Sequence, residues 1–364
     1  MVQSKQRGFG SLIPALFRQI SLWSLLVALF AGCVPLFKGI QSTRDVIAPV
    51  ITGYRQIDQR RIEIDFSEAV FAAVEDFTVE AEGSIIAVST GTSSIGIEIE
   101  GWNEPGRAYR VEGQVNDKQG NSIWFSLPFY GFNENPAHLA VNEFINENSS
   151  TRYEKAELLV VQGGNLGGIS VYNGTPAMFR SMMTFADQEV HAGEYLVIHF
   201  RYQEEEADVH LEVDEYDGVA ADCMNAAAST QATSDVRDFW VRGYQGLSDS
   251  NGAISIADSP YADSAIMDAV AWSDRFWDPE AKYSSFGTSY TEQVMLSLLA
   301  RNGWSWPNDE LRPEGCIRTE TSTSTRSMNR MPGGEDLDLP SDWHICPTGM
   351  SSFGYENSIE VHTP

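Results

Sequence analysis

The chain has 364 residues, 42% of them hydrophobic and 11% aromatic, enough apolar material for more than one core and too much for a disordered tail. Twenty-four Lys and Arg stand against 51 Asp and Glu, a formal net charge of −27. Such a surface repels phosphate backbones and anionic lipid headgroups, so it excludes nucleic acid as a partner and disfavours membrane docking through the folded surface. Cations, basic proteins and neutral glycans remain compatible with it.

The N-terminus sets the compartment. Lys5, Arg7 and Arg18 precede an apolar run, Ile20 to Ala31, that ends in Gly32-Cys33. A basic leader, a short apolar stretch and small residues before a cut describe a secretory signal over residues 1–32. Leu29-Phe30-Ala31-Gly32-Cys33 resembles the lipobox of bacterial lipoproteins. The resemblance implies that Cys33 becomes the lipidated first residue; Phe30 departs from the pattern, which prefers a smaller side chain there. Several acyl chains on one residue anchor firmly where a single chain does not. Two alternatives stay open: an uncleaved span from Gln19 to Phe37, about 19 residues long, and simple secretion. A lipid anchor or a membrane span places the rest of the chain outside the cytoplasm, because the cations lie before the apolar run. The expected location is therefore a bacterial cell envelope, with the chain tied to the membrane by its lipid through a tether over residues 33–46.

Three further cysteines, Cys223, Cys316 and Cys346, follow with no zinc-type spacing. An oxidising compartment allows a Cys316–Cys346 disulfide, a pair involving Cys223, or none.

Residues 47–134 read as β structure. Arg61-Ile62-Glu63-Ile64-Asp65-Phe66 alternates at period two, as do Ile97 to Glu100 and Tyr109 to Val115. Asn116 to Asn121 is a turn cluster before the strand-like Ile123-Trp124-Phe125. The Pro49-Val50-Ile51 start, the stretch Ile62 to Val70, and Val115-Asn116-Asp117 with Gly120-Asn121 resemble bacterial Ig-like domains of exported proteins. That implies an antiparallel sandwich used as a spacer or adhesion module, without catalysis. Asp117 and Asn121 are the candidate calcium ligands, although turn chemistry explains both.

A second β pattern fills residues 138–357. Strands are predicted at His138–Phe144, Ala156–Val161, Gly193–Phe200, Val209–Val213, Gly252–Asp258 and Ile266–Trp272. Asn142-Glu143, Glu157-Leu158, Gly193 to Ile198, Ile254 to Asp258, Met267 to Val270, and Ser327 to Arg330 with Asp336, Asp342 and Trp343 resemble, in order, the lamin-tail domain. The resemblance implies an Ig-like sandwich used for binding or attachment. Insertions near residues 201–240 and 273–325 enlarge the module. They hold helical signals: Ser289-Tyr290-Thr291-Glu292 has capping-box spacing ahead of Val294 to Leu299, with Gly303 as a stop, and Val219 to Ala228 is Ala-rich.

His191, His199 and His210 lie near Glu204, Glu205, Glu206, Asp208 and Glu212, but in no metal-binding spacing. Trp304, Trp306 and Trp277 are the candidate ligand face, since aromatic platforms bind sugars and peptides. G-x-S-x-G, P-loop and G-x-G-x-x-G motifs are absent. The expected molecule is mainly β: two antiparallel Ig-like sandwiches, the second with partly helical insertions. It binds a protein or glycan partner or scaffolds the envelope and is not an enzyme; the alternative is a glycan-active or other hydrolase with its site in 273–325.

Overall fold

The structure is a computed structural model that describes residues 45–79, 83–101, 104–149, 152–200, 215–216, 236–241, 245–334 and 336–364. The signal segment with Cys33, the Val209–Val213 strand, the Val219–Ala228 helix, Cys223, His210 and the neighbouring acids lie outside the described residues.

The chain is mainly β and forms two sandwiches. In the first, a sheet runs in the order Ile51–Gln56, Arg61–Phe66, Ser94–Glu100, Ser84–Ser89, all antiparallel. Opposite it, Ala108–Asp117 pairs with Ser122–Tyr130 on one side and with Val70–Phe71 and Phe77–Val79 on the other. Strict alternation decides the layering. Ile62, Ile64 and Phe66 with Ile95, Ile97 and Ile99 point inward, onto Val111, Val115, Phe125 and Phe129.

The second sandwich has a seven-stranded sheet in the order Glu215–Tyr216, Arg237–Trp240, Tyr195–His199, Lys155–Gln162, His138–Ile145, Met328–Arg330, Trp343–Ile345. It faces a five-stranded sheet in the order Met178–Thr184, Ser170–Thr175, Asn251–Ala257, Ile266–Ser273, Ile317–Arg318. Pairing is antiparallel except where Tyr195–His199 meets Arg237–Trp240 and where Ile266–Ser273 meets Ile317–Arg318. Val141, Phe144, Leu158 and Ile198 pack against Val171, Ile254, Ile256, Val270 and Trp272 between the layers.

The helix Ser289–Ala300 covers the outer face of the five-stranded sheet, burying Val294, Met295 and Leu298. Its N-cap is Thr288 rather than Ser289: the Thr288 hydroxyl accepts the Thr291 amide at 3.1 Å. Glu292 instead accepts the Ser284 hydroxyl at 2.8 Å. No helix among the described residues is long and apolar enough to cross a membrane.

Candidate functional site

The two sandwiches meet backbone to backbone. Gly106 takes a φ of +74°, and a Cβ on it would stand 2.3 Å from the Gly168 amide nitrogen. A Cβ on Gly167 would stand 2.6 Å from the Pro105 carbonyl oxygen. Only glycine permits this approach. Asn133, on the connection between the sandwiches, donates its side-chain amide to the carbonyls of Asn165 (2.8 Å) and Gly167 (2.9 Å).

Beside this junction Tyr261 reaches from the second sandwich into the first. Its hydroxyl accepts the Tyr130 amide at 3.2 Å. Its ring stands edge-on to Tyr54 and to Tyr130, each with centroids 5.7 Å apart. Desolvation raises the pKa of all three phenols above the ordinary value, so they stay neutral at physiological pH. The loop carrying Tyr261 is braced from the large insertion. Arg301, which ends the helix, donates to the carbonyls of Ala262 (2.6 Å) and Ser264 (2.8 Å).

A cleft of about 370 Å³ opens at this corner, lined among others by Arg55, Gln56, Tyr130, Asp258, Tyr261 and Asp263. Arg55 turns its guanidinium to Glu63 and to Asp65. Gln56 donates its amide to the Asp58 carbonyl at 3.1 Å, while its Oε1 is buried without a partner among the described residues. No sequence signal pointed here, because the lining comes from turns and strand ends far apart in the chain.

A second polar assembly lies on the outer face of the seven-stranded sheet, under the C-terminal segment. Glu143, Glu157, Lys155, Asn142 and Asn357 cluster there, beside a buried His199–Asp238 pair at 2.7 Å. His199 also stacks on Trp240, with centroids 4.4 Å apart. Burial lowers the His199 pKa, with Asp238 opposing, so the ring is held neutral. Glu143, Glu157, Asn142 and Asn357 are buried, and their bonds tie the C-terminal segment to the sheet.

Several sequence expectations are corrected. Trp304 and Trp306 are not a ligand face: they are 2% and 3% exposed, and each indole donates to a carbonyl, Gly315 and Arg312 respectively. The insertion folds Phe286, Trp304 and Trp306 into the main core, where apolar area gains most. Trp277 does reach the surface, with the Arg312 guanidinium 4.9 Å above its ring. The Cys316–Cys346 disulfide is not formed; both thiols are free and buried. Cys316 leads into a strand of the five-stranded sheet, whereas Cys346 follows the edge strand of the other and contacts the Ser327 hydroxyl at 3.0 Å.

His191 and His199 do not converge on a metal: His191 is exposed and pairs with Glu194 at 2.7 Å, while His199 is spent on Asp238. Asp117 and Asn121 do lie together. Asp117 accepts the amides of Gln119 and Asn121 (both 2.8 Å) and the Asn121 side-chain amide (2.6 Å). Desolvation pushes the Asp117 pKa up, but these bonds outweigh it and bring it down. Asn121 therefore serves as a donor that shapes the turn, and the carboxylates gathered at Asp117 are those of Asp45 and Glu68.

Residues 137–345, more than half of the chain, match the family described as the TP_1001 protein second domain. The chain belongs to this family. An uncharacterized protein of Treponema pallidum (strain Nichols) is 28% identical over 201 residues, which cover 55% of this chain and 48% of that protein. The match thus spans about half the length of that relative. Among solved structures, the N-terminal part of the bacterial S-layer protein SbsC aligns with 60% of this chain and 43% of its own, at 10% identity and a TM-score of 0.23.

Proposed function

We propose that the chain is an extracytoplasmic binding module, tied to a bacterial membrane by a lipid on Cys33, with the cleft between its sandwiches as the ligand site. One observation carries the site: a cleft of about 370 Å³ at a junction that glycines and a cross-domain tyrosine hold together. Ligand sites favour such domain boundaries, and a braced boundary keeps its lining preorganised. The lipobox-like Leu29 to Cys33 supports the anchor, and the Ig-like and lamin-tail-like motifs support a binding or attachment role. The hydrolase alternative has less support, because the lining of this cleft comes from outside the 273–325 insertion.

The test is hydrogen–deuterium exchange on the full chain, with and without an envelope extract and purified glycans. Saturable protection of residues 54–56, 130–136 and 258–265 is expected. A saturable partner that leaves all three segments unchanged overturns the cleft as the site. Separately, Cys33→Ser should abolish acylation and release the chain; an acyl-free wild type that stays in the membrane overturns the anchor.

A further inference from the structure

We infer that the cleft takes a small organic cation: an ammonium group, primary or quaternary, on a short apolar stem. This rests on the cleft being the ligand site.

The lining is rich in acceptors. Gln56 Oε1 is buried with no donor among the described residues. A buried acceptor left without a donor is costly, so a side-chain turn that presents Gln56 Oε1 to a donor in the cleft relieves a standing penalty. Asp258 accepts the adjacent Ser259 hydroxyl at 3.0 Å, and Asp263 has no hydrogen bond among the described residues. Both carboxylates border the cleft.

The cations nearby are already committed. Arg55 is paired with Glu63 and Asp65, and Arg301 is turned to the carbonyls of Ala262 and Ser264. Among the described residues neither Asp258 nor Asp263 forms an ion pair, and both carboxylates border the cleft. The chain's net charge of −27 adds a long-range field of the same sign. An anionic ligand would meet repulsion at both scales.

The aromatic walls suit the same guest. The rings of Tyr130 and Tyr261 stand 78° apart and form a corner. Ring faces carry negative potential and attract a cation within about 6 Å of the centroid. Their apolar bodies would cover a short alkyl stem. A neutral sugar would satisfy Gln56 but draw little from the two carboxylates.

The experiment is calorimetric titration of the full chain in detergent. The probes are putrescine, spermidine and choline, set against 1,4-butanediol and N-acetylglucosamine as neutral probes and succinate as an anion. Saturable binding by the cations alone is expected, weakening as salt rises. Asp263→Asn should weaken it about fivefold, and Gln56→Leu by a similar factor. Trp277→Ala should leave it unchanged, and unchanged melting midpoints show that the variants remain folded. Equal binding by the neutral probes, or cation binding indifferent to Asp263→Asn, overturns the cation and leaves the cleft standing. No binding by any probe, with no exchange protection at the cleft from envelope extract, overturns both.

Discussion

Glu157 stands directly across from Glu143 on neighbouring strands, and both side chains are sealed from solvent. The C-terminal segment caps them. The Ser352 amide donates to both oxygens of Glu143 at 3.0 Å, and the Gly354 amide donates to Glu157. Lys155 lies in the same layer, its Nζ 3.9 Å from the centre of the Phe353 ring.

This pair makes stability depend on pH. Burial is the main cause that pushes Glu157 up to about 8, with Glu143 adding to it and the bonds from Gly354 and Asn142 opposing. A carboxyl raised on folding takes up a proton, so its stabilisation is complete below its unfolded value and is lost as pH rises through the folded value. Between pH 5 and 8 the chain should lose stability, with a slope of up to about 1.4 kcal/mol per pH unit for one proton. Glu157→Gln should flatten that slope. Urea midpoints across this range measure it, and a wild type that gains stability toward pH 8 contradicts the assignment. His199, whose pKa burial lowers, acts in the opposite sense and erodes stability as pH falls below its ordinary 6.5.

The glycine junction should not tolerate a methyl group. Gly106→Ala adds a Cβ 2.3 Å from the Gly168 amide nitrogen and must hold a positive φ. A cost of roughly 1–3 kcal/mol is expected, as for other overpacked or strained sites. The sandwiches would part first, so protease cleavage between residues 131 and 136 should accelerate. Unaltered cleavage would mean that the junction contributes little.

The tryptophans should separate cleanly. Trp304 is buried and bonded to Gly315, so Trp304→Ala should cost roughly 3–5 kcal/mol in urea unfolding. Trp277 is 39% exposed, and Trp277→Ala should change stability by less than about 0.5 kcal/mol. Equal costs would contradict their different placement.

Cys316 and Cys346 should carry free thiols. Alkylation in denaturant without reductant, followed by peptide mass spectrometry, should label both. In the native state Cys316 should resist, because burial raises its pKa and seals it. A Cys316–Cys346 linked peptide would overturn this.

Much of the β framework was legible because its cause is local. Where one strand face is buried and the other wet, alternation writes itself into the sequence, as in Arg61–Phe66 and Ser94–Glu100. Ser170–Thr175 escaped notice for the converse reason: it is buried along its whole length, beneath the helix on one side and over the core on the other, so no period survives. Asp268 and Arg330 illustrate an intermediate case. Both sit in the lamin-tail-like motifs, yet only folding brings the guanidinium to the carboxylate at 2.8 Å.

The sequence by itself determined the acidic surface, the secretion and lipidation signals as an expectation, and a mainly β chain with a helix in its large insertion. Those features depend on composition and near neighbours. Tertiary structure alone decided that Trp304 and Trp306 belong to the core, that Cys316 and Cys346 join different sheets, and that Tyr130 meets Tyr261 at the cleft. Each depends on contacts between residues far apart in the chain, and such contacts leave no periodic or local trace in the residues that make them.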